Sequence, residues 1–126
     1  MLAKLKAIVK RSFETIPAEL LRLRRLYSFA SWWYQSFRND VVSESEIDEC
    51  FVGNSLLLRA LYPPREVRRS VDNLVRAGLV EEVGEMSWFE GADLVEEKLY
   101  RLREDWEERM ERLARASGYS LEDLKS

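Results

Sequence analysis

The residue types with the most directed chemistry gather in one short run, Pro64 to Gly78, which holds Arg65, Arg68, Arg69, Ser70, Asp72, Asn73 and Arg76. Val67, Val71, Leu74 and Val75 recur within it at helical spacing, so a helix that turns these four inward presents the polar set on its opposite face. A guanidinium can bond a guanine edge through two donors, and a carboxamide can do the same at adenine. A helix that opens at Pro64 can point its free amides at a phosphate, and Ser70 can touch a sugar-phosphate backbone. The competing account is a solvated face in which Arg65 or Arg69 simply pairs with Glu66 or Asp72.

Other chemistries find little support. The chain has no histidine, which removes the imidazole-based acid–base constellations and every His-ligated metal site. Its single cysteine, Cys50, allows no intrachain disulfide and no cysteine zinc cluster, and its apolar helical context is that of a small buried hydrophobe. The carboxylates are scattered, at positions such as Glu81 and Glu85, without a paired acid–base site, and there is no Gly-rich phosphate loop. An enzyme is not expected, and neither a metal nor a cofactor is called for.

Charge is uneven. The net formal charge of −3 is distributed as +5 over residues 1–42, −3 over 43–84 and −5 over 85–126. A basic footprint for nucleic acid can therefore come only from the N-terminal third and the later arginine cluster. Arginine outnumbers lysine fifteen to five, with one Gln (Gln35) and one Thr (Thr15). Abundant charge with few thermolabile amides points to a thermophilic source, an archaeon or one of its viruses, which concerns habitat and not function.

The 126 residues suffice for one domain with its own core, and 46% hydrophobic with 34% charged residues is a globular composition. An amphipathic helix is expected over residues 1–17, with Lys4, Lys6, Lys10 and Arg11 around its polar side and Pro17 ending it. A second helix is expected from Ala18 to about Arg38, with Leu23, Leu26, Ala30, Trp33 and Phe37 as its stripe and Arg22, Arg24 and Arg25 as a basic shoulder. Six of the fourteen aromatic residues lie between Tyr27 and Phe37, which fits a helix buried on two sides. Ser43-x-x-Glu46 is a capping box for a helix running to a stop at Gly53. Asn54 can cap a short helix over 55–61, and Pro63-Pro64 opens the arginine-bearing helix, which Gly78 closes.

Beyond Gly78 the periodicity becomes that of strands: 79–83 and 86–89, joined by a tight turn at Gly84-Glu85. From Ala92 a long helix is expected to about residue 117, with Val95, Leu99, Leu102, Trp106, Met110 and Leu113 as a heptad-like stripe and Glu97/Arg101 and Asp105/Arg109 as supporting pairs. The fold class expected is mainly α with a small β-hairpin, α+β.

The order of a short helix, a tight turn, a capped helix and a hairpin, with the words Val67-Arg68-Arg69-Ser70-Val71-Asp72-Asn73-Leu74-Val75-Arg76-Ala77-Gly78-Leu79-Val80, resembles the winged helix-turn-helix DNA-binding domains over about 35 residues. The resemblance implies a winged-helix core over 18–90, with a helix-turn-helix at 55–77 and a wing at 79–89. It implies Arg65, Arg68 and Arg69 as base readers, with Arg76 on phosphate and Ser70 and Asn73 beside them. The helix over 92–117 is similar to the dimerisation helix of repressors of the PadR and MarR type, which makes the stripe from Val95 to Leu113 the expected dimer interface. Two features depart from the family. The wing carries Glu81, Glu82 and Glu85 with no Lys or Arg, and the capped segment 43–52 stands where one short strand is expected.

The expected partners are double-stranded DNA and a second copy, with half-sites roughly 34 to 36 Å apart, and the expected role is transcriptional regulation. Trp32, Trp33, Trp88 and Trp106 could line an inducer pocket, though such residues more often form core. The alternative is a protein-interaction or assembly module of the same fold, which the acidic wing and the aromatic helix favour. The longest uncharged stretch, twelve residues from Leu26 to Phe37, falls short of a membrane span of roughly 20 residues, and a cytoplasmic protein is expected.

Overall fold

A computed structural model describes residues 16–125. The expected helix of residues 1–17 falls almost wholly outside them. The described elements run α1 (Ala18–Phe37), β1 (Val41–Ser43), α2 (Glu44–Val52), α3 (Leu56–Leu61), α4 (Pro64–Arg76), β2 (Val80–Glu90), β3 (Asp93–Leu102), α5 (Trp106–Ala116) and α6 (Leu121–Lys125). The class is α+β: among the described residues there are six helices and one antiparallel sheet of order β1-β3-β2.

Helix α1 begins where Pro17, extended and with φ already near the helical value, leads into Ala18, and it buries Leu23, Leu26, Ala30 and Trp33 along one stripe. Around that stripe Trp32, Phe29, Phe37 and Phe51 pack ring against ring, with Trp32 and Phe51 centroids 5.1 Å apart. The helix ends at Arg38, whose N–H donates to the Tyr34 carbonyl and whose guanidinium lies 4.7 Å from the Tyr34 ring centre.

Strand β1 is three residues long and pairs with β3, Val42 facing Tyr100. Its last residue, Ser43, is at once the N-cap of α2. The Glu46 N–H donates to Ser43 Oγ at 3.2 Å and the Ser43 N–H to Glu46 Oε1 at 3.4 Å, so the capping box forms as its sequence indicates. On α2 the buried residues are Ile47 and Val52, with Phe51 beside them, and this places Cys50 outside: it is exposed, not the buried hydrophobe its neighbours suggested.

Helix α4 ends in a Schellman motif. The Gly78 N–H donates to the Val75 carbonyl and the Leu79 N–H to that of Leu74, each at 3.0 Å. Gly78 has φ 75°, the left-handed region, so the backbone there calls for glycine; the nearest obstacle to a Cβ, the tip of the Arg109 side chain at 3.0 Å, can swing aside. Leu79 then enters the core fully buried beside Leu74.

The C-terminal third departs from expectation. Residues 93–102 form a strand, and the helix expected over 92–117 is confined to the eleven residues Trp106–Ala116. The hairpin does not turn at Gly84-Glu85. There the pairing slips, Glu82 facing Tyr100 and Gly84 facing Leu99, so Val83 is the extra residue of a β-bulge. The strands continue to a two-residue turn at Gly91-Ala92, where Gly91 takes φ 63°. A glycine inside a strand and a glycine at a turn look alike in sequence, and Gly84 is of the first kind.

The stripe expected to pair two molecules is therefore split between a strand and a helix of one molecule. Leu102 and Met110 are fully buried and Trp106 nearly so, all in the core of their own chain; Val95, Leu99 and Leu113 are partly buried. Trp106 packs on Tyr27 and Tyr34 of α1, with centroids 5.8 and 6.0 Å away. Helix α6 closes the fold against α1: the Ser120 N–H donates to Asp123 Oδ2 at 2.8 Å, and Arg24 Nε donates to the Asp123 carbonyl at 3.0 Å. Among the described residues no helix is long and apolar enough to cross a membrane.

Candidate nucleic-acid interface

Helix α4 turns Val67, Val71 and Leu74 inward, with Val75 partly buried, and holds Arg65, Arg68, Arg69, Asp72, Asn73 and Arg76 on its exposed side. These six line one shallow depression of about 340 Å³. Pro64 occupies the first helical position after an extended Pro63, so the helix opens cleanly at the arginine-rich end.

The arginines differ in what surrounds them. Arg65 and Arg76 have no ion pair among the described residues. Arg69 stands 3.8 Å from Glu66 one turn earlier, an exposed pair worth only about 0–1 kcal/mol and readily exchanged for another anion. Arg68 lies at the acidic end of the face: its guanidinium is 3.6 Å from Glu44, and the recess it borders is also lined by Glu85, Glu96, Glu97 and Lys98. Ser70 is directed elsewhere, since its Oγ donates to the Glu66 carbonyl at 3.1 Å and it lines the groove toward α1 rather than the outward depression.

Sequence spacing gives no sign of that groove. It runs between α1 and α4, has a volume of about 770 Å³, and is bordered by Arg22, Arg25, Arg69, Arg76, Ser70 and Asn73 over a floor that includes Leu26 and Leu74. Arg22 and Arg25 lie on α1, separated from α4 by three intervening elements in the chain, and only the packing of α1 on α4 brings them alongside. Arg24, the third member of the basic shoulder, is directed to α6 instead.

On the hairpin side the carboxylates are mostly engaged. Glu81 bonds Arg101 and Arg103, Lys98 lies 3.9 Å from Glu82, and Glu97 accepts the Ser45 N–H at 2.9 Å and the Ser45 hydroxyl at the start of α2. Tyr100 donates its hydroxyl to Glu44 Oε1 at 3.3 Å, so Glu44 is held between a phenol and Arg68.

Burial, and then the negative charge of Glu44, push the Tyr100 phenol above its ordinary pKa of about 10. A raised value means the fold favours the protonated phenol; its stabilisation is complete below about pH 10 and is lost as pH rises from there toward the folded-state value. Tyr100→Phe is accordingly expected to cost about 0.5–1.5 kcal/mol at neutral pH and to flatten the alkaline loss of stability, as read by thermal melts through that range.

The four tryptophans do not form one pocket wall. Trp33 is buried, Trp32 belongs to the Phe29–Phe51 ring cluster, Trp106 packs on α1, and Trp88 lies on the hairpin, where its Nε1 donates to Glu90 at 3.5 Å. Among the described residues no group of three or more Cys, Asp or Glu is arranged to hold a metal ion. In comparison with known proteins, no family model matches the chain, and neither a curated protein nor a solved structure matches it significantly.

Proposed function

We propose that this chain is a sequence-specific DNA-binding protein, a transcriptional regulator of the winged helix-turn-helix kind, that places α4 in the major groove. The observation that carries the proposal is the outward face of α4, where Arg65, Arg69, Asn73 and Arg76 surround one depression and Arg65 and Arg76 are unpaired among the described residues. A helix is about 10–12 Å across, the width of the major groove, and Arg and Asn side chains are those that read guanine and adenine there. The order of elements supports the family: a strand precedes α2, α4 follows after the intervening short helix α3, and a hairpin comes next. In this reading α2, which buries Ile47 and Val52, is the first helix of the motif, and not α3, which buries nothing.

The direct test is a fluorescence-anisotropy titration against a random-sequence duplex at several salt concentrations. Binding is expected to weaken with a log–log slope of about −0.9 for each phosphate neutralised, after which selection from a random pool should return a preferred site. Absence of binding at low salt overturns the proposal.

A second reading, a protein-interaction module, is favoured by α3. Its leucines Leu56, Leu57 and Leu61 are 88%, 69% and 62% exposed, a concentration of apolar surface typical of contact sites. A dimer of this protein would use these residues and not the buried Leu102, Trp106 and Met110. Sedimentation of the wild type and of Leu57→Glu/Leu61→Glu tests this: the variant should lose any self-association and match the melting temperature of the wild type at dilutions where the latter is monomeric, and a monomeric wild type at micromolar concentration removes the dimer.

A further inference from the structure

The two flanks of α4 carry opposite charge. Toward α1, the groove is bordered by Arg22, Arg25, Arg69 and Arg76, with Glu66 as its single carboxylate among the described residues. Toward the hairpin, the recess holds Glu44, Glu85, Glu96 and Glu97 against Arg68 and Lys98. A helix seated in the major groove has a phosphate strand on either side of it, because helix and groove are of about the same width. The two strands cannot then be treated alike by this protein.

We infer that one phosphate strand lies along the α1–α4 groove, contacted by Arg25 together with Arg76 and Arg22, while the hairpin is held away from the duplex by its own carboxylates. This rests on the DNA-binding reading and specifies how the DNA is oriented on the protein. Arg25 and Arg76 have no ion pair among the described residues, so a phosphate meets them without displacing a partner. Arg22 is already bound by Glu19, through Nη2 at 2.6 Å and Nε at 3.1 Å, and this exposed pair within one helix must loosen for Arg22 to join them. The contacts are to phosphate, so they add affinity at every sequence and discrimination at none.

The salt dependence of binding decides the matter. Wild type, Arg25→Ala, Arg22→Ala/Arg25→Ala and Arg22→Lys/Arg25→Lys are titrated by anisotropy against one random duplex and one selected site. Removing each phosphate-binding arginine should reduce the magnitude of the log–log salt slope by about one, and affinity should fall by the same factor on both duplexes. The lysine variant should keep the wild-type slope, since a phosphate accepts either cation, which a role confined to the Glu19 fork would not predict. Wild-type binding with an unchanged slope in both alanine variants overturns the orientation and leaves the DNA-binding reading standing. An effect confined to the selected site overturns it too, by making these residues base readers. A wild type that binds neither duplex ends both.

Discussion

Arg65→Ala/Arg69→Ala is expected to abolish selective DNA binding and to leave the fold intact. Each two-donor bond to a base is worth about 1–3 kcal/mol of discrimination, so removing two should weaken the preferred site by roughly 30-fold to more than 10⁴-fold relative to random sequence. Both side chains are exposed, and the only ion pair that either makes among the described residues is the long one between Arg69 and Glu66. The melting temperature should therefore stay close to wild type, within the range of about ±0.5 kcal/mol usual for surface substitutions. Competition anisotropy with selected and scrambled duplexes measures the first quantity and calorimetry the second. Retained selectivity in a folded double variant would remove α4 as the reading helix. Arg68→Ala serves as the internal contrast: the side chain lies against Glu44 at the acidic end of the face, so its removal should cost far less than that of Arg65 or Arg69.

That contrast could not be drawn from sequence, where Arg65, Arg68 and Arg69 are equivalent members of one polar face. Their separation depends on Glu44, twenty-four residues before Arg68, and on the hairpin carboxylates, and both arrive there only through the pairing of β3 with β1 and β2. The same holds for Arg22 and Arg25, which the packing of helices brings to α4. What sequence does disclose is local: the Ser43–Glu46 box, the start of α4 at Pro64 and its end at Gly78 each depend on residues within a few positions of one another, and each forms as expected.

The C-terminal third shows the converse. The run from Asp93 to Leu102 satisfies two periods at once. Val95, Leu99 and Leu102 are spaced for a helical stripe, while Val95, Glu97 and Leu99 alternate as a strand does and are the partly buried positions of β3. Local pairs such as Glu97/Arg101 favour the helix by only about 0.2–0.5 kcal/mol each. Ten paired positions with β2 and three with β1 outweigh them, and in the strand Glu97 meets Ser45 while Arg101 meets Glu81. Gly84 adds to the ambiguity, since a bulge and a turn use the same residue for different reasons.

Trp106→Ala tests the strand-and-helix arrangement most sharply, because the two roles for the residue predict different dependences on protein concentration. In this fold Trp106 is 4% exposed and fills the space between α5 and the Tyr27 and Tyr34 rings of α1. Truncating a buried aromatic costs about 3–5 kcal/mol, a large part of the roughly 5–15 kcal/mol that holds a domain together. At about 4 °C per kcal/mol for a domain near this size, the melting temperature should fall by on the order of 10–20 °C. A core residue produces this fall at every protein concentration. An interface residue would instead remove a concentration-dependent contribution, because assembly stabilises by mass action. Melts of wild type and variant over roughly a hundredfold range of concentration separate the cases. Equal shifts throughout place Trp106 in the core of one chain, and a shift that grows with concentration would restore the C-terminal stripe as an interface.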